Sequence, residues 1–126
     1  MPSVGYAFNR TRQTYLATQL RLAGTHWSRF CGLMCEDPER FKAGDALWIV
    51  PSHGVHTFAM RFPIDVAYLD RDKVVVHLEE NLKPWRVAPV RRNAKSVLEL
   101  PHNTLSATGT AIGDRIDIAV GNDRNV

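Results

Sequence analysis

Apolar and polar side chains alternate between Thr14 and Leu22, with Leu16, Leu20 and Leu22 on one side and Gln19 and Arg21 on the other. A period of two points successive side chains to opposite faces of a pleated backbone, so this segment predicts a half-buried strand. The period then changes. Trp27, Phe30, Cys31 and Met34 recur at spacings of three and four behind Thr25, whose hydroxyl suits an N-cap, and predict a short helix with one apolar stripe. Gly32 weakens that helix near its end, and the polar stretch from Glu36 to Gly44, which carries Pro38, reads as a loop or a short turn of helix.

Beyond it the chain reads as short strands and turns. Ala46 to Val50 predicts a buried strand and Pro51, Ser52 and Gly54 a turn; His56 to Met60 and Ile64 to Leu69 read as extended, with a corner at Arg61-Phe62-Pro63. Asp70 to Lys73 joins Ile64–Leu69 to Val74–Leu78 as a hairpin, although it lacks the glycine of the tightest turns. Pro84 and Pro89 remove backbone donors and make Leu82 to Asn93 a loop or edge segment. Ser96 to Leu100 returns to strand, His102 to Ala107 suits a single helical turn, and Gly113-Asp114 opens a last strand from Arg115 to Val120. Together these predict a mainly β fold: a small sandwich or partly closed barrel with one or two short helices.

At 126 residues and 44% apolar composition the chain is expected to form one domain over residues 1–126, with its core between about 14 and 120. No apolar run is long enough to span a bilayer, and Arg10 and Arg12 precede any stretch resembling an export signal. Cys31 and Cys35 lie too close to bridge without distortion, so two free thiols, a cytoplasmic location and no membrane partner are expected.

Charge alters this picture by its placement more than by its net value of +3. Before Glu36 the charged side chains are Arg10, Arg12, Arg21 and Arg29; from Asn81 to Leu98 they are Lys83, Arg86, Arg91, Arg92 and Lys95. Gathered together they would attract phosphates or acidic partners, and spread out they are solvated surface. Trp85 lies among the second set, placed to stack on a base, a sugar ring or a partner's side chain, or else to close one end of the core.

Arg29 with Gly32-Leu33-Met34, the run from His56 to Asp65, Val97-Leu98-Glu99-Leu100-Pro101 and Gly113-Asp114 resemble, in that order, the blocks of the "domain of unknown function 192" family. The resemblance covers about Leu16 to Ile118 and implies a compact, jelly-roll-like β fold with no established activity. Family members commonly carry an export signal, and many have Trp where this chain has Ala59.

Among residues suited to chemistry, His53, His56 and Met60 are a donor set that copper accepts, but His56 and Met60 on one extended segment lie about 13 Å apart at roughly 3.3 Å per residue. No metal and no cofactor is expected. Asp65 and Glu99 are carboxylates inside apolar strands; each is near the solvated side of the sheet, or is buried and paired, with Arg29 or Arg61 or with backbone N–H groups, or the two share a pocket as an acid–base pair. No nucleophile elbow, phosphate loop or dinucleotide fingerprint is present. The expected function is a non-catalytic module that binds a small molecule or protein through the Trp85 loop and a pocket rimmed by His56, Asp65 and Glu99, with Arg29 and Met60 as further candidate ligand-binding residues. The alternatives are a small hydrolase or lyase using Asp65 and Glu99, and nucleic-acid binding through the basic segments.

Overall fold

The computed structural model describes residues 5–23, 41–54 and 62–121. Among them run β1 (Gly5–Asn9), β2 (Thr14–Ala23), β3 (Asp45–Ile49), β4 (Ile64–Leu69), β5 (Val75–Leu82), β6 (Ser96–Pro101), a one-turn helix α1 (Thr104–Thr108) and β7 (Ile116–Ala119). The mainly β expectation holds, and the strands form one sheet in the order β5-β4-β6-β3-β2-β1-β7. All described strand pairs are antiparallel except β2 with β3, which the chain joins through residues 24–44.

The sheet curls until its two outermost strands meet. Val74 bridges Arg115, and the N–H of Val75 and the carbonyl of Asp114 bond at 2.8 Å. That contact makes a partly closed barrel, which shortens the open edges that invite pairing with other chains. Every strand and α1 contribute to one inner core, including Ala7, Leu20, Ala46, Leu69, Val75, Leu98, Leu105 and Ile116. A second cluster lies on the opposite face of the sheet and draws on only part of it: Leu47 and Ile49 of β3, Ile64, Val66 and Tyr68 of β4 and Val97 of β6, with Phe41, Ala88 and Ala94 laid over them. Because β4 and β6 are covered on both sides, all six residues of each are buried, which explains their nearly continuous apolar sequence.

Several elements follow the alternation closely. Leu16 and Leu20 are buried while Gln19 and Arg21 are exposed, and α1 overlaps the predicted helical turn and ends one residue beyond it, at Thr108. Between Asp70 and Lys73 the hairpin closes with Lys73 at φ 63°, the left-handed conformation that a glycine adopts without strain. Asp70 Oδ1 accepts from the N–H groups of Asp72 and Val74 and holds the turn from within. The pattern did not reveal β1, whose five residues mix small and aromatic side chains and are recognisable as a strand only through their pairing with β2 and β7. The expected helix after Thr25 and the extended segment from His56 to Met60 lie outside the described residues. No helix among the described residues is long and apolar enough to cross a membrane.

Candidate functional site

Asp65 and Glu99 sit on neighbouring strands, yet the register separates them. Asp65 is opposite Leu100, and Glu99 is opposite Val66 on one side and Leu47 on the other. Adjacent positions of a strand point to opposite faces, so Asp65 enters the inner core with Ala67 and Leu69, and Glu99 joins Leu47, Val66 and Val97 on the outer face. The shared pocket and the acid–base pair expected from the sequence are therefore corrected: the thickness of the sheet lies between the two carboxyl groups. His56, the third residue of that pocket, lies outside the described residues, as do the further candidates Arg29 and Met60.

Asp65 is fully buried and both its oxygens accept from backbone: Oδ1 from the N–H of Asn81 at 2.8 Å and Oδ2 from the N–H of Leu105 at 2.9 Å. It ties an irregular point of β5, where Asn81 has φ 54°, to the first turn of α1. Such bonds satisfy a buried carboxylate without a cation.

Glu99 is in the opposite condition. It is 3% exposed, and its Oε2 has no hydrogen-bond partner among the described residues. Burial among apolar side chains pushes its pKa up to about 8, because an ion there would forfeit hydration without compensation. At neutral pH the group is mostly a neutral acid with an O–H to donate.

Tyr68 projects onto this outer face too, and its hydroxyl donates to the carbonyl of Pro89 at 2.7 Å. Burial, reinforced by the charge of Glu79 and opposed by Arg91, raises its pKa to about 12. The ring meets His77 edge to face at 4.9 Å, and the His77 ring bonds Glu79. The bond to Pro89 fastens the loop between β5 and β6 over the face that holds Glu99. Further ties are the N–H of Arg91 to the carbonyl of His53 and the burial of Ala88 and Ala94.

On the far side of this fastened loop, large apolar groups face solvent: Trp85 is 63% exposed, Val87 63% and Val90 68%. Trp85 is not a residue that closes the core. Its φ of 64° is a strained conformation for an aromatic side chain. Lys83, Arg86, Arg91, Arg92 and Lys95 are exposed on the same loop, and no acid occurs between Asn81 and Leu98.

The arginines near the N-terminus do not all add to such a patch. Arg10 pairs with Asp117 at 2.8 Å, and Arg12 Nε donates to Asp114 Oδ2 at 3.0 Å. Asp114 also accepts from Asn9 Nδ2 and the N–H of Ala111, both at 2.9 Å. Burial acts to raise its pKa, and the bonds from Arg12, Asn9 and Ala111 outweigh burial and lower it. Sequence reading did not single out Asn9 and Asp114 as partners, since 105 residues separate them. Their signal was limited to the Gly113-Asp114 pair, and Gly113 has φ 97°.

A model of the family DUF192, described as "Uncharacterized ACR", matches residues 7–118. A UPF0127 protein of Pyrococcus furiosus is 32% identical over 114 residues, covering 86% of this chain and 94% of its own. Two crystal structures share the fold. A Novosphingobium aromaticivorans protein of unknown function has TM-score 0.77 at 16% identity, covering 93% of this chain and 92% of its own. A Sinorhizobium meliloti protein, provisionally described as a transcription regulator, has TM-score 0.76 at 20% identity, covering 90% and 91%.

Proposed function

Since the chain belongs to the DUF192 family, whose description assigns no activity, we propose from its own residues that it is a non-catalytic binding module whose contact surface is the loop from Lys83 to Lys95. The observation that carries this reading is the exposure of Trp85 at a left-handed backbone position, with Val87 and Val90 beside it, on a loop held by Tyr68, His53, Ala88 and Ala94. A rigid aromatic anchor loses little entropy on binding, and exposed apolar groups on a fixed loop gain by being covered. The surrounding cations favour an acidic partner, protein or small molecule. Tryptophan fluorescence of the full chain, titrated with acidic peptides, oligonucleotides and anionic small molecules, tests the reading. At least one ligand should give a saturable change that Trp85→Ala weakens about tenfold or more, the size of a binding hot spot. No response to any of them removes the support.

Nucleic acid is the second reading, favoured by the combination of one exposed ring with basic neighbours. The Sinorhizobium protein's provisional description is compatible with it. The two readings separate by salt, because counterion release makes nucleic-acid affinity fall steeply as ionic strength rises. Glu99 lies on the face beneath the loop and supplies a neutral hydrogen-bond donor to a ligand that reaches it.

A further inference from the structure

We propose that a cavity between β2, the turn at Ala43–Gly44 and α1 binds a neutral carbohydrate. The cavity holds about 270 Å³ and is distinct from the Trp85 loop, so the proposal stands apart from the function given above. Its volume falls just below the range of drug-sized pockets, about 300–1,000 Å³, and suits a small ligand.

Its apolar lining, termed the floor, combines the buried Leu16 and Ala17 with the exposed Ala43 and Ala107. On the rim stand Tyr15, Thr18, His102 and Asn103, whose side chains make no hydrogen bond among the described residues. The other two polar side chains at the cavity are committed: the Thr104 hydroxyl donates to the carbonyl of Pro101, and that of Thr108 to the carbonyl of Thr104. Asn103 is notable for what it does not do. It occupies the residue before α1 with φ 74°, and its side chain makes no capping bond. An asparagine in that place ordinarily uses its oxygen as a cap. Here the amide keeps both donors and its acceptor.

Tyr15 brings the second feature. Its ring is 54% exposed and is steadied from below by edge contacts with Tyr6 at 5.9 Å and Phe8 at 4.8 Å. A ring fixed in this way offers a flat apolar surface at small entropic cost.

Among the described residues the lining contains no Lys, Arg, Asp or Glu. A charged ligand would lose hydration there without a formal counter-charge among the described residues, and a wholly apolar one would gain nothing from the exposed polar side chains at the edge. A sugar meets both conditions. Its C–H face covers the apolar floor and the Tyr15 ring, and its hydroxyls, each donor and acceptor, match a phenol, a hydroxyl, an imidazole and an amide.

Amide NMR spectra of the full chain, titrated with glucose, galactose, N-acetylglucosamine and cellobiose, test the proposal, with glycerol and phenol as controls. At least one sugar should produce saturable shifts centred on Ala17, Thr18, Gly44 and the residues of α1. Tyr15→Ala and Asn103→Gly should each weaken that sugar about three- to tenfold, the net worth of one or two neutral contacts. Glycine adopts φ 74° without strain, so Asn103→Gly removes the amide while preserving the fold. The proposal is overturned if no sugar shifts these amides, if glycerol or phenol shifts them as strongly as the best sugar, or if both variants bind as the unaltered chain does.

Discussion

Glu99 is a carboxyl group among Leu47, Val66 and Val97, and the cost of ionising it there is written into its pKa of about 8 against an ordinary 4.5. The unfolded chain releases this proton first. Between those two values the folded state binds more protons than the unfolded, so stability falls as pH rises, by about 1.4 kcal/mol per pH unit at most. Below the window the contribution is intact, and above it the loss is complete. Glu99→Gln removes the titration. Urea unfolding followed by circular dichroism should find the variant equal to the parent near pH 4 and more stable at pH 8 by about 2 kcal/mol or more. A difference that does not change with pH would show that Glu99 is ionised in the folded protein. Asp65, on the next strand, illustrates how little the residue type decides: two backbone N–H groups settle the same carboxyl group in a fully buried position.

At the scale of elements, the loop from Lys83 to Lys95 combines firm attachment with a strained tip. Trp85 at φ 64° is costlier there than glycine would be, by about 1–2 kcal/mol. A side chain kept against that strain fits a contact role better than a packing one. In Trp85→Gly the relieved strain is partly offset by the greater freedom of glycine in the unfolded chain, so the unfolding free energy should change by no more than about 1 kcal/mol while the fluorescence response to the partner is removed. A loss as large as that of a core truncation would mean that Trp85 serves the fold. Tyr68→Phe tests the attachment. It removes the bond to the carbonyl of Pro89 and should cost about 1 kcal/mol, with faster amide exchange along the loop.

For the whole molecule the decisive feature is closure. The seam between Val74 and Arg115 is one bridge long, and beside it the buried Asp114 collects Arg12, Asn9 and Ala111. The lowered pKa of Asp114 gives this group the opposite sign to Glu99. Its stabilisation is present above the unfolded value of about 3.8 and is lost as pH falls through the lower, folded value. Asp114→Ala leaves three donors without their acceptor and should cost about 2–4 kcal/mol at neutral pH, read as a lower urea midpoint. Leu98→Ala, in the inner core shared by all strands, should cost about 2–5 kcal/mol by the same measurement.

The sequence by itself determined the elements whose burial repeats every second residue, together with their turns. The strands from Thr14 and Ile64, the hairpin at Asp70–Lys73, the turn that became α1 and the irregular Trp85 loop were all legible in this way. Local pattern is enough for these, because side-chain direction follows from backbone period. It was not enough for Gly5–Asn9, which is a strand only because β2 and β7 flank it. Nor did it tell Asp65 from Glu99, since both are acids in apolar strands and only the register of β4 against β6 sends one inward and the other outward. The meeting of Asn9 with Asp114 and the four uncommitted side chains around the cavity beside α1 likewise arose from tertiary structure. Alternation fixes which face a residue occupies on its own strand, and pairing between distant strands fixes what that face meets.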